Sequence, residues 1–481
     1  MAVSSWSDPR QEEYRQARIS HWNHVACAME TWPGWGGAYH QRLNQVYGFW
    51  VPPGQRVLEV GCGYGDLLAA LKTERGVGVD FSPEMIRYAR KRHPELHFVE
   101  ADAHYLEMDE TFDTIILSDI VNDLWDVQAV FDRLLPLCTW RTRILINSYS
   151  RLWELPLLIV QKLGLARPVL NQNWLTSDDI AHLLRLAGFE VVRHWQEVLL
   201  PLQIPWLQEL CNRFLVKLFP FRLAALSNFV LARPQVPDQL PKRPLVSVIV
   251  PARNEEGNIP EIFSRTPEMG RGTELVFVEG HSVDDTYGVI EREMVRHPKR
   301  HCRLLKQTGV GKGDAVRLGF SEANGELLMV LDADMTVPPE DLPRFYDAIV
   351  SGKAEFINGV RLVYPMEKQA MRYANLVGNK FFSLAFSWLL GQPIKDTLCG
   401  TKVLWKADYG RIAVNRAYFG DFDPFGDYDL IFGAARLGLK MVDLPIRYRE
   451  RAYGRTNIKR WKHGWSLLKM VLFAAWRIKF V

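Results

Sequence analysis

Two aspartates, Asp332 and Asp334, follow directly after an apolar run at residues 327–331. Such a run, stopped soon afterwards by Pro338 and Pro339, predicts a buried strand that ends at the two acids. In an open α/β sheet, ligands bind at the carboxyl edge of the strands. Two carboxylates this close repel each other, and a hard divalent cation such as Mg²⁺ or Mn²⁺ that bridges to a diphosphate relieves the repulsion. The pattern predicts a metal site, with a solvated turn as the alternative.

Three further loops in the same half carry polar side chains at predicted strand ends or before a helix. Two apolar strands, at residues 246–250 and 274–278, run into polar loops, and a glycine-rich loop at 309–313 precedes a helix. The residues concerned are Pro251, Arg253, Asn254, Glu255, Glu279 and Lys312. Carboxylates, an amide and a lysine at one edge of a sheet describe a site for a nucleotide diphosphate with a metal.

The N-terminal half has its own strand–loop–helix pattern. A short strand at residues 56–60 contains Glu59 and leads into glycines at alternate positions, Gly61, Gly63 and Gly65. Glycine lets the backbone approach a ligand closely, and the helix that follows offers free N–H groups. The next strand ends at Asp80, about twenty residues on, a spacing that suits a ribose diol. A third apolar-to-acid pattern ends at Asp102. A nicotinamide dinucleotide and S-adenosylmethionine both fit this arrangement.

Two features favour S-adenosylmethionine: the glycine spacing is G-x-G-x-G rather than G-x-G-x-x-G, and Glu59 stands at the end of the first strand. The runs Val-Leu-Glu-Val-Gly-Cys-Gly-Tyr-Gly (57–65) and Gly-Val-Asp-Phe-Ser-Pro-Glu-Met (78–85) closely resemble a class I S-adenosylmethionine-dependent methyltransferase. This resemblance implies that Gly61, Gly63 and Gly65 flank the methionine part of the cofactor. Asp80 would take the ribose hydroxyls, Asp102 the adenine amine, and Glu59 would also bind the cofactor. A dehydrogenase or a structural Rossmann unit is the alternative.

The sequence does not identify the methyl acceptor. Candidates for a general base are Asp119 and Asp123, in the loop after a predicted fourth strand, and His104. We predict Asp119 as the catalytic residue, although acids in such a loop also serve as helix caps. Residues 199–225 are apolar and aromatic, and they form either a lid over an apolar acceptor or a packing segment.

Length and composition indicate an ordinary globular protein. The chain has 481 residues, 48% hydrophobic and 24% charged, which excludes wholesale disorder. Its net charge of +4 is too small to imply a nucleic-acid partner. The six scattered cysteines show no Cys-x-x-Cys pattern and indicate reduced thiols in the cytosol. The N-terminus has no signal-peptide core, and no apolar run is long enough to span a bilayer.

The domain organisation follows from a proline-rich stretch. Residues 234–244 contain four prolines, which predicts a semi-rigid linker between domains at residues 1–233 and 245–481. Each domain repeats a complete strand-and-helix pattern. We therefore predict an α/β protein with two Rossmann-like domains in tandem.

Residues 245 to about 460 closely resemble an inverting family 2 glycosyltransferase with the GT-A fold, in the subgroup of dolichyl- or polyprenyl-phosphate mannose synthases. The matching runs are Val-Pro-Ala-Arg-Asn-Glu (250–255), Gly-Lys-Gly-Asp (311–314), Leu-Asp-Ala-Asp (331–334), Asp-Thr-Leu-Cys-Gly-Thr-Lys (396–402) and Arg-Glu-Arg-Ala-Tyr-Gly-Arg-Thr (449–456). The resemblance implies that residues 251–255 and Glu279 hold the base and ribose. Asp332 and Asp334 would hold the metal and diphosphate, and Arg451 and its neighbours would steady the leaving diphosphate. The family more often has aspartate at the position of Glu279, which leaves the choice of base or sugar open.

An acidic stretch at residues 420–430 contains Asp427 and Asp429, where this family carries its acceptor-side acid. Such an acid usually deprotonates a sugar hydroxyl. A phosphate monoester needs no base, since its second pKa is about 6 and it is largely a dianion near neutral pH. On that view Asp427 or Asp429 orients the acceptor or a metal-bound group. A turn with helix caps is the alternative.

The C-terminal tail is basic and rich in tryptophan. From residue 447 onwards Glu450 is the only acid among many lysines and arginines, which alternate with tryptophan and aliphatic residues. This composition is typical of a helix in a membrane interface, and residues 375–390 resemble a second one. Relatives often continue into transmembrane helices, whereas this chain ends, so we expect peripheral attachment at the cytoplasmic face of the cell membrane. The alternative is a core-packing helix.

These observations predict two enzymes in one chain. The first is a methyltransferase, and the second is a metal-dependent glycosyltransferase that acts on a nucleotide-sugar donor and a lipid-phosphate acceptor. In one alternative, the N-terminal half binds S-adenosylmethionine without transferring a methyl group. In the other, the C-terminal half glycosylates a soluble or glycan acceptor and its apolar helices are dimer contacts.

Overall fold

The computed structural model of the protein describes residues 9–28, 37–162, 170–361, 363–364, 373–419, 426–449, 453 and 460–481. The chain divides into two compact units, Met1–Val236 with Phe480–Val481, and Pro237–Lys479. Among the described residues, no helix has both the length and the apolar character needed to cross a membrane.

The first unit is built on a seven-stranded sheet. Its strands are β1 (Arg56–Val60), β2 (Arg75–Asp80), β3 (His97–Glu100), β4 (Phe112–Ser118), β5 (Cys138–Tyr149), β6 (Phe189–Glu197) and β7 (Ser227–Pro234). They lie in the order β3-β2-β1-β4-β5-β7-β6. All neighbours pair in parallel except β7, which is antiparallel to both β5 and β6. The carboxyl ends of β1 to β6 therefore share one edge, and β7 starts at that edge.

Helices cover this sheet because its central strands are apolar on both faces. Val57, Leu58, Ile115 and Leu117 are completely buried. The helices are α1 (Pro9–Ala28), α2 (Gly37–Trp50), α3 (Asp66–Ala70), α4 (Pro83–Arg92), α5 (Val127–Leu134), α6 (Glu154–Lys162), α7 (Ser177–Leu186) and the short α8 (Leu207–Glu209).

The second unit also has a seven-stranded sheet. Its strands are β8 (Val246–Ala252), β9 (Thr273–Glu279), β10 (His301–Lys306), β11 (Leu327–Val330), β12 (Phe356–Val360), β13 (Lys402–Trp405) and β14 (Met441–Pro445). The order is β10-β9-β8-β11-β13-β12-β14, and β13 is antiparallel to both of its neighbours. The remaining pairs are parallel. The loops after β8, β9, β11 and β14 therefore meet at one edge.

The helices of the second unit are α9 (Ile259–Arg265), α10 (Thr286–Arg296), α11 (Lys312–Glu322), α12 (Leu342–Val350), α13 (Tyr373–Leu390), α14 (Lys406–Val414), α15 (Tyr428–Arg436) and α16 (Arg460–Ala474). Two α/β sheets in succession confirm the predicted fold class, a class I methyltransferase fold followed by a GT-A fold. The amphipathic helix predicted in the tail is α16, and the predicted second one is α13.

Close packing of α15 on α14 positions the acidic residues at the start of α15. Gly433 permits that packing, because a Cβ added there would lie 2.5 Å from Cγ2 of Ile412 in α14. We expect Gly433→Ala to destabilise the second unit by about 1–3 kcal/mol, since overpacking costs more than the gain in helix propensity. Denaturant unfolding of the full chain measures the effect.

Gly410→Ala is the matched control on α14. Gly410 is exposed, and an added Cβ meets no described atom within 4 Å. This variant should gain up to about 1 kcal/mol, the usual difference between glycine and alanine in a helix. Equal shifts in the two variants would contradict tight α14–α15 packing.

Candidate active sites

The loop after β1 has the backbone geometry that only glycine adopts readily. Gly61, Gly63 and Gly65 have φ angles of 76°, 52° and 74°. A Cβ at Gly61 would lie 2.7 Å from Cδ1 of Ile120, and one at Gly65 would lie 2.5 Å from Cζ of Phe98. Beside Gly63 the space is open. The three predicted glycines thus form a tight turn with one side open to a ligand.

Two acids flank this turn. Asp80 accepts hydrogen bonds from the backbone N–H of Gly63 and of Ser82, each at 2.9 Å, and burial raises its pKa to about 6. Glu59 is buried, and its Oε2 has no hydrogen-bond partner among the described residues. Burial raises the pKa of Glu59 to about 8. The Leu68 N–H bonds to this carboxyl, so one oxygen alone lacks a partner. A buried polar atom without a partner is costly, and this site fits the ammonium group of S-adenosylmethionine.

Asp102 and His104 form a fixed pair. Oδ1 of Asp102 lies 2.7 Å from Nδ1 of His104, and the backbone N–H of Asp126 donates to Nε2 of His104 at 3.1 Å. Oδ2 of Asp102 lies 3.2 Å from Arg15 in α1. Burial opposes ionisation of Asp102, but His104 and Arg15 outweigh it and lower its pKa. Both nitrogens of His104 are thus engaged, which argues against His104 as a free general base.

Asp123 anchors α1 to the sheet. Its Oδ1 accepts a hydrogen bond from Nε of Arg18 at 2.8 Å, and its Oδ2 accepts one from Nε1 of Trp22 at 2.8 Å. Arg18 is buried in this contact. Removal of a partner from a buried ion pair is costly, so Asp123 has a structural role that explains its position.

Asp119, the predicted catalytic residue, lies directly after β4 with φ of 58°. Its Oδ1 accepts hydrogen bonds from Tyr39 Oη at 2.7 Å and from Asn147 Nδ2 at 2.5 Å. Tyr47 Oη donates to Asn147 Oδ1 at 2.6 Å. Burial raises the pKa of Asp119 to about 7, although the hydrogen bonds from Tyr39 and Asn147 oppose the rise. These contacts hold a partly exposed carboxyl in place with a pKa suited to proton transfer.

In the second unit, hydrogen bonds brace the loop after β8 against the loop after β9. Asn254, with φ of 57°, accepts at Oδ1 from the Val283 N–H at 2.8 Å, and its own N–H donates to Ser282 Oγ at 3.0 Å. Glu279 Oε1 accepts from the Ser282 N–H at 2.5 Å. The predicted residues Asn254 and Glu279 are thus brought together through Ser282.

The rest of this loop pair is held in the same way. The N–H of Glu255 donates to Thr286 Oγ1 at 2.9 Å, and Glu255 Oε2 accepts from Asn258 at 2.7 Å. Pro251 lies near the end of β8, and the Arg253 side chain is exposed beside it. Two rigid loops with an exposed arginine form a suitable wall for a base and ribose.

Lys312 and Asp332 form the central ion pair of the second site. Lys312 Nζ lies 2.6 Å from Asp332 Oδ1, and a Cβ at Gly400 would overlap both groups. Burial opposes ionisation of Asp332, but Lys312 outweighs it and lowers the pKa of Asp332. Burial would likewise lower the pKa of Lys312, but Asp332 and Asp427 raise it above its usual value. Both groups are therefore charged at neutral pH.

Asp427 joins this cluster and Asp429 does not. Lys402 is fully buried, and its Nζ lies 3.5 Å from Asp427 Oδ1. Asp429 is instead paired with Arg416, at 2.9 Å. Gly400 and Lys402 were not among the predicted site residues, although both lie in the run 396–402 that carries the family resemblance. The signal was a lysine in the otherwise apolar strand β13.

Asp334 and Asp332 supply carboxylate oxygens of the type that Mg²⁺ and Mn²⁺ prefer. Asp334 Oδ1 accepts from Thr336 Oγ1 at 2.7 Å and from the Thr336 N–H at 3.2 Å. In the described part of the chain, no group of three His, Cys, Asp or Glu side chains could hold a metal. Two carboxylates still fit Mg²⁺, which usually takes one or two from the protein and the rest from phosphates and water.

A cavity of about 500 Å³ borders the same loop. Four arginines line it: Arg265, Arg344, Arg447 and Arg449. The N–H of Arg449 donates to the carbonyl of Thr336 at 3.0 Å, which ties the cavity to the loop that carries Asp334. Arg451, predicted to steady the diphosphate, lies outside the described residues.

Each half of the chain matches the profile of a known protein family. The profile of Glycosyl transferase family 2 matches residues 247–409, and the profile of the Methyltransferase domain matches residues 57–138. A SAM-dependent methyltransferase structure from Thermotoga maritima aligns with 45% of this chain and 100% of its own, at 16% identity and a TM-score of 0.35.

Among characterised sequences, dolichol-phosphate mannosyltransferase from Pyrococcus furiosus is 38% identical over 225 residues, 44% of this chain and 59% of that protein. Undecaprenyl-phosphate 4-deoxy-4-formamido-L-arabinose transferase from Pseudomonas aeruginosa is 34% identical over 122 residues, 23% of this chain and 36% of that protein. The chain thus spans between about a third and three fifths of these relatives' lengths. It combines a methyltransferase domain with a glycosyltransferase family 2 domain.

Proposed function

We propose that the protein is a bifunctional enzyme. The first unit transfers a methyl group from S-adenosylmethionine, and the second transfers a sugar, with inversion, from a nucleotide-sugar to a polyprenyl phosphate. The observation that carries the second activity is the cluster of Lys312, Asp332, Lys402 and Asp427 beside Asp334. The two relatives named above are, by name, transferases that act on dolichol phosphate and undecaprenyl phosphate.

Different residues of the chain bind the nucleotide-sugar donor and the acceptor. The braced loops that carry Asn254, Glu255 and Glu279 hold the base and ribose. Asp332 and Asp334 hold a divalent metal, which when bound neutralises charge on the departing diphosphate.

In the cavity beside Thr336, Glu340 pairs with Arg265 at 2.7 Å and Asp341 lies 3.8 Å from Arg344. Arg447 and Arg449 add positive charge on the same side.

Acceptor positioning falls to Asp427 and Lys402. A phosphate monoester is already largely a dianion near neutral pH, so no residue needs to remove a proton from it. Lys402 is fully buried and therefore acts on the acceptor only through Asp427, whose side chain is 9% exposed. Lys402 orients Asp427 through their contact at 3.5 Å, and Asp429 holds α15 in place through Arg416.

A lipid acceptor is supported by the outer faces of α13 and α16. Trp465 and Leu472 of α16, and Trp476 in the helical turn that follows it, are 60%, 56% and 57% exposed. Phe381 and Leu384 of α13 are 57% and 64% exposed. The opposite side of each helix packs inward.

Exposed cations accompany this apolar surface: Lys380, Lys469 and Arg477. Tryptophan and basic residues together are typical of a segment that lies in an anionic membrane interface. We therefore place the second unit at the cytoplasmic face of the cell membrane, where a polyprenyl phosphate is presented.

Methyl transfer in the first unit depends on Asp119. Bound S-adenosylmethionine supplies a methyl carbon on a sulfonium and is left as S-adenosylhomocysteine. Asp119 takes the proton that the acceptor's oxygen or nitrogen releases. Tyr39 and Asn147 both hydrogen-bond to Oδ1, which orients Oδ2 to receive that proton.

The metal site gives the first test of this proposal. Asp334→Asn keeps the shape of the side chain but removes its charge, so sugar transfer should fall by about a hundredfold or more. Radiolabelled sugar transfer at saturating Mg²⁺ or Mn²⁺ measures this. Asp347→Asn, an exposed acid on α12, is the matched control and should retain full activity. Full transfer by Asp334→Asn would exclude the metal assignment.

Asp119 gives the second test. The carboxylate form is the base, so methyl transfer should rise with pH through about 7 and level off above it. Asp119→Asn should lower the rate by about a hundredfold or more, with S-adenosylmethionine affinity unchanged by calorimetry. Label transfer into cell extracts from methyl-labelled S-adenosylmethionine provides the measurement.

Asp178→Asn, an exposed acid on α7, is the control for that variant. It should leave both the rate and the pH profile unchanged. Binding of S-adenosylmethionine with no methyl transfer under any condition would instead identify the first unit as a binding module.

The apolar faces give the third test. In the tail variant, Ser replaces Leu384 of α13 and Trp465 and Leu472 of α16. This variant should bind anionic vesicles about tenfold or more weakly than the parent protein. Transfer to a long-chain polyprenyl phosphate should fall, while transfer to a short, water-soluble analogue should continue. Cosedimentation and product assays measure the two effects.

A variant with Val295→Ser and Val414→Ser removes comparably exposed side chains elsewhere and serves as the control. It should bind vesicles like the parent protein. Equal loss of transfer to long and short acceptors in the tail variant would favour a soluble acceptor and a structural role for these helices.

A further inference from the structure

Two segments of the first unit leave the sheet beside Asp119. One follows the carboxyl end of β5 and covers residues 150–162, and the other joins β6 to β7 and covers residues 198–226. Because β5 and β6 are parallel to β4, both segments lie at the edge where Asp119 ends its strand. We call them the rim. The Ser150 N–H donates to the Leu226 carbonyl at 2.7 Å, and Trp153 Nε1 donates to the Ala224 carbonyl at 3.0 Å, so the two parts are joined.

Polar side chains as well as apolar ones fix the inner side of the rim, where Val198, Val216 and Leu226 are also buried. Asn212 is buried, and its Oδ1 accepts from the N–H groups of Leu199 and Leu200 at 2.7 and 2.8 Å. Buried Lys217 pairs with buried Glu197, which also pairs with Arg42 at 2.9 Å. A segment tied down through its polar side chains is free to present its apolar ones.

The outward apolar side chains are large and far more exposed than a water-facing surface needs. Six of them are Leu152, Leu155, Ile159, Trp206, Phe219 and Leu223. Three of these, Leu155, Trp206 and Phe219, are 71%, 91% and 74% exposed. A cluster of this kind marks an interaction surface rather than scattered exposure.

Trp206 shows that the exposure is built into the backbone. Its φ and ψ are 65° and −49°, and the Leu207 N–H donates to the Pro205 carbonyl at 2.8 Å. These are the features of a classic γ-turn, a rare and strained conformation. Strain at a residue that is almost fully exposed persists only where the surrounding structure imposes it. The turn holds an indole ring outward at the tip of the rim.

Charge identifies the kind of partner. Arg151, Lys162 and Arg222 are exposed within the rim, and the exposed acid Glu209 is paired with Arg213 at 2.9 Å. Glu154, the other acid of the rim, is partly buried. Exposed tryptophan and aliphatic side chains beside exposed cations match an anionic lipid surface, where the ring lies at the headgroup level.

We propose that the rim inserts into an anionic lipid surface and that the methyl acceptor is a lipid-linked molecule presented there. This inference rests on the proposed methyl transfer and names the class of its acceptor. The rim reaches the acceptor site directly, because Ser227, the first residue after it, donates from Oγ to Tyr39 Oη at 3.1 Å, and Tyr39 donates to Asp119. An acceptor that carries a lipid chain would leave that chain in the bilayer while its polar group reaches Asp119.

The test uses the full chain and separates the rim from the tail. The tail variant defined above is combined with Leu155→Ser, Trp206→Ser and Leu223→Ser, all at exposed positions. On phosphatidylcholine vesicles with about one third phosphatidylglycerol, the tail variant alone should retain measurable binding. The added rim substitutions should lower that residual binding by about tenfold or more. Unchanged residual binding, or none in the tail variant alone, overturns the proposal.

Matched controls exclude a general loss of apolar surface. Leu186→Ser, Val295→Ser and Val414→Ser in the same tail-variant background should leave residual binding unchanged, because these exposed residues lie away from the rim. Leu186 ends α7, which leads into the amino end of β6, at the opposite edge of the sheet. A change in sedimentation mass without lipid, seen only in the rim variant, would show that the rim contacts a second copy and would overturn lipid docking.

The acceptor class has its own measurement. With methyl-labelled S-adenosylmethionine, the parent protein should label the organic phase of a membrane lipid extract and leave a water-soluble extract unlabelled. The rim substitutions should raise the KM for vesicle-borne extract by about tenfold or more and leave S-adenosylmethionine affinity unchanged. Label in the water-soluble extract alone overturns the lipid-linked acceptor but leaves methyl transfer intact. If the parent protein does not bind S-adenosylmethionine at all, the proposed function itself is contradicted.

Discussion

Parallel strands that end at one edge bring their terminal side chains together, and in this protein many of those side chains are acids. Like charges at such an edge cannot all stay ionised and unpaired. Each sheet must therefore supply cations, hydrogen-bond donors or an external ligand to the acids it collects. The choice of partner for each acid determines which carboxyl is structural and which remains for chemistry.

In the first unit, α1 satisfies two of the collected acids. It provides Arg15 for Asp102, and Arg18 with Trp22 for Asp123. Asp119 receives only neutral donors in the contacts that fix it, from Tyr39 and Asn147. Neutral donors orient a carboxyl without suppressing its basicity as a guanidinium does, and its pKa is accordingly raised to about 7.

In the second unit, lysines rather than arginines pair with the acids at the sheet edge. Lys312 and Lys402 hold Asp332 and Asp427, and the absence of a side chain at Gly400 allows the Lys312–Asp332 pair to form beneath the backbone. A compact ammonium leaves a carboxylate oxygen available to a metal ion, whereas a bidentate guanidinium occupies both oxygens, as Arg361 does with Asp396.

The sequence by itself determined the strand ends, the glycine turn, both fold classes and the acids at each edge, because an apolar run followed by a polar or glycine-rich loop is a local signal. It predicted Asp119 as the base with Asp123 and His104 as further candidates, and it left Asp427 and Asp429 equivalent at the acceptor side. Only the tertiary structure distinguished them, since the deciding partners are remote: Arg18 lies 105 residues before Asp123, and Asp119 meets Tyr39 80 residues away. Such pairings depend on strand order and on which helix crosses the edge, and no spacing along the chain encodes either.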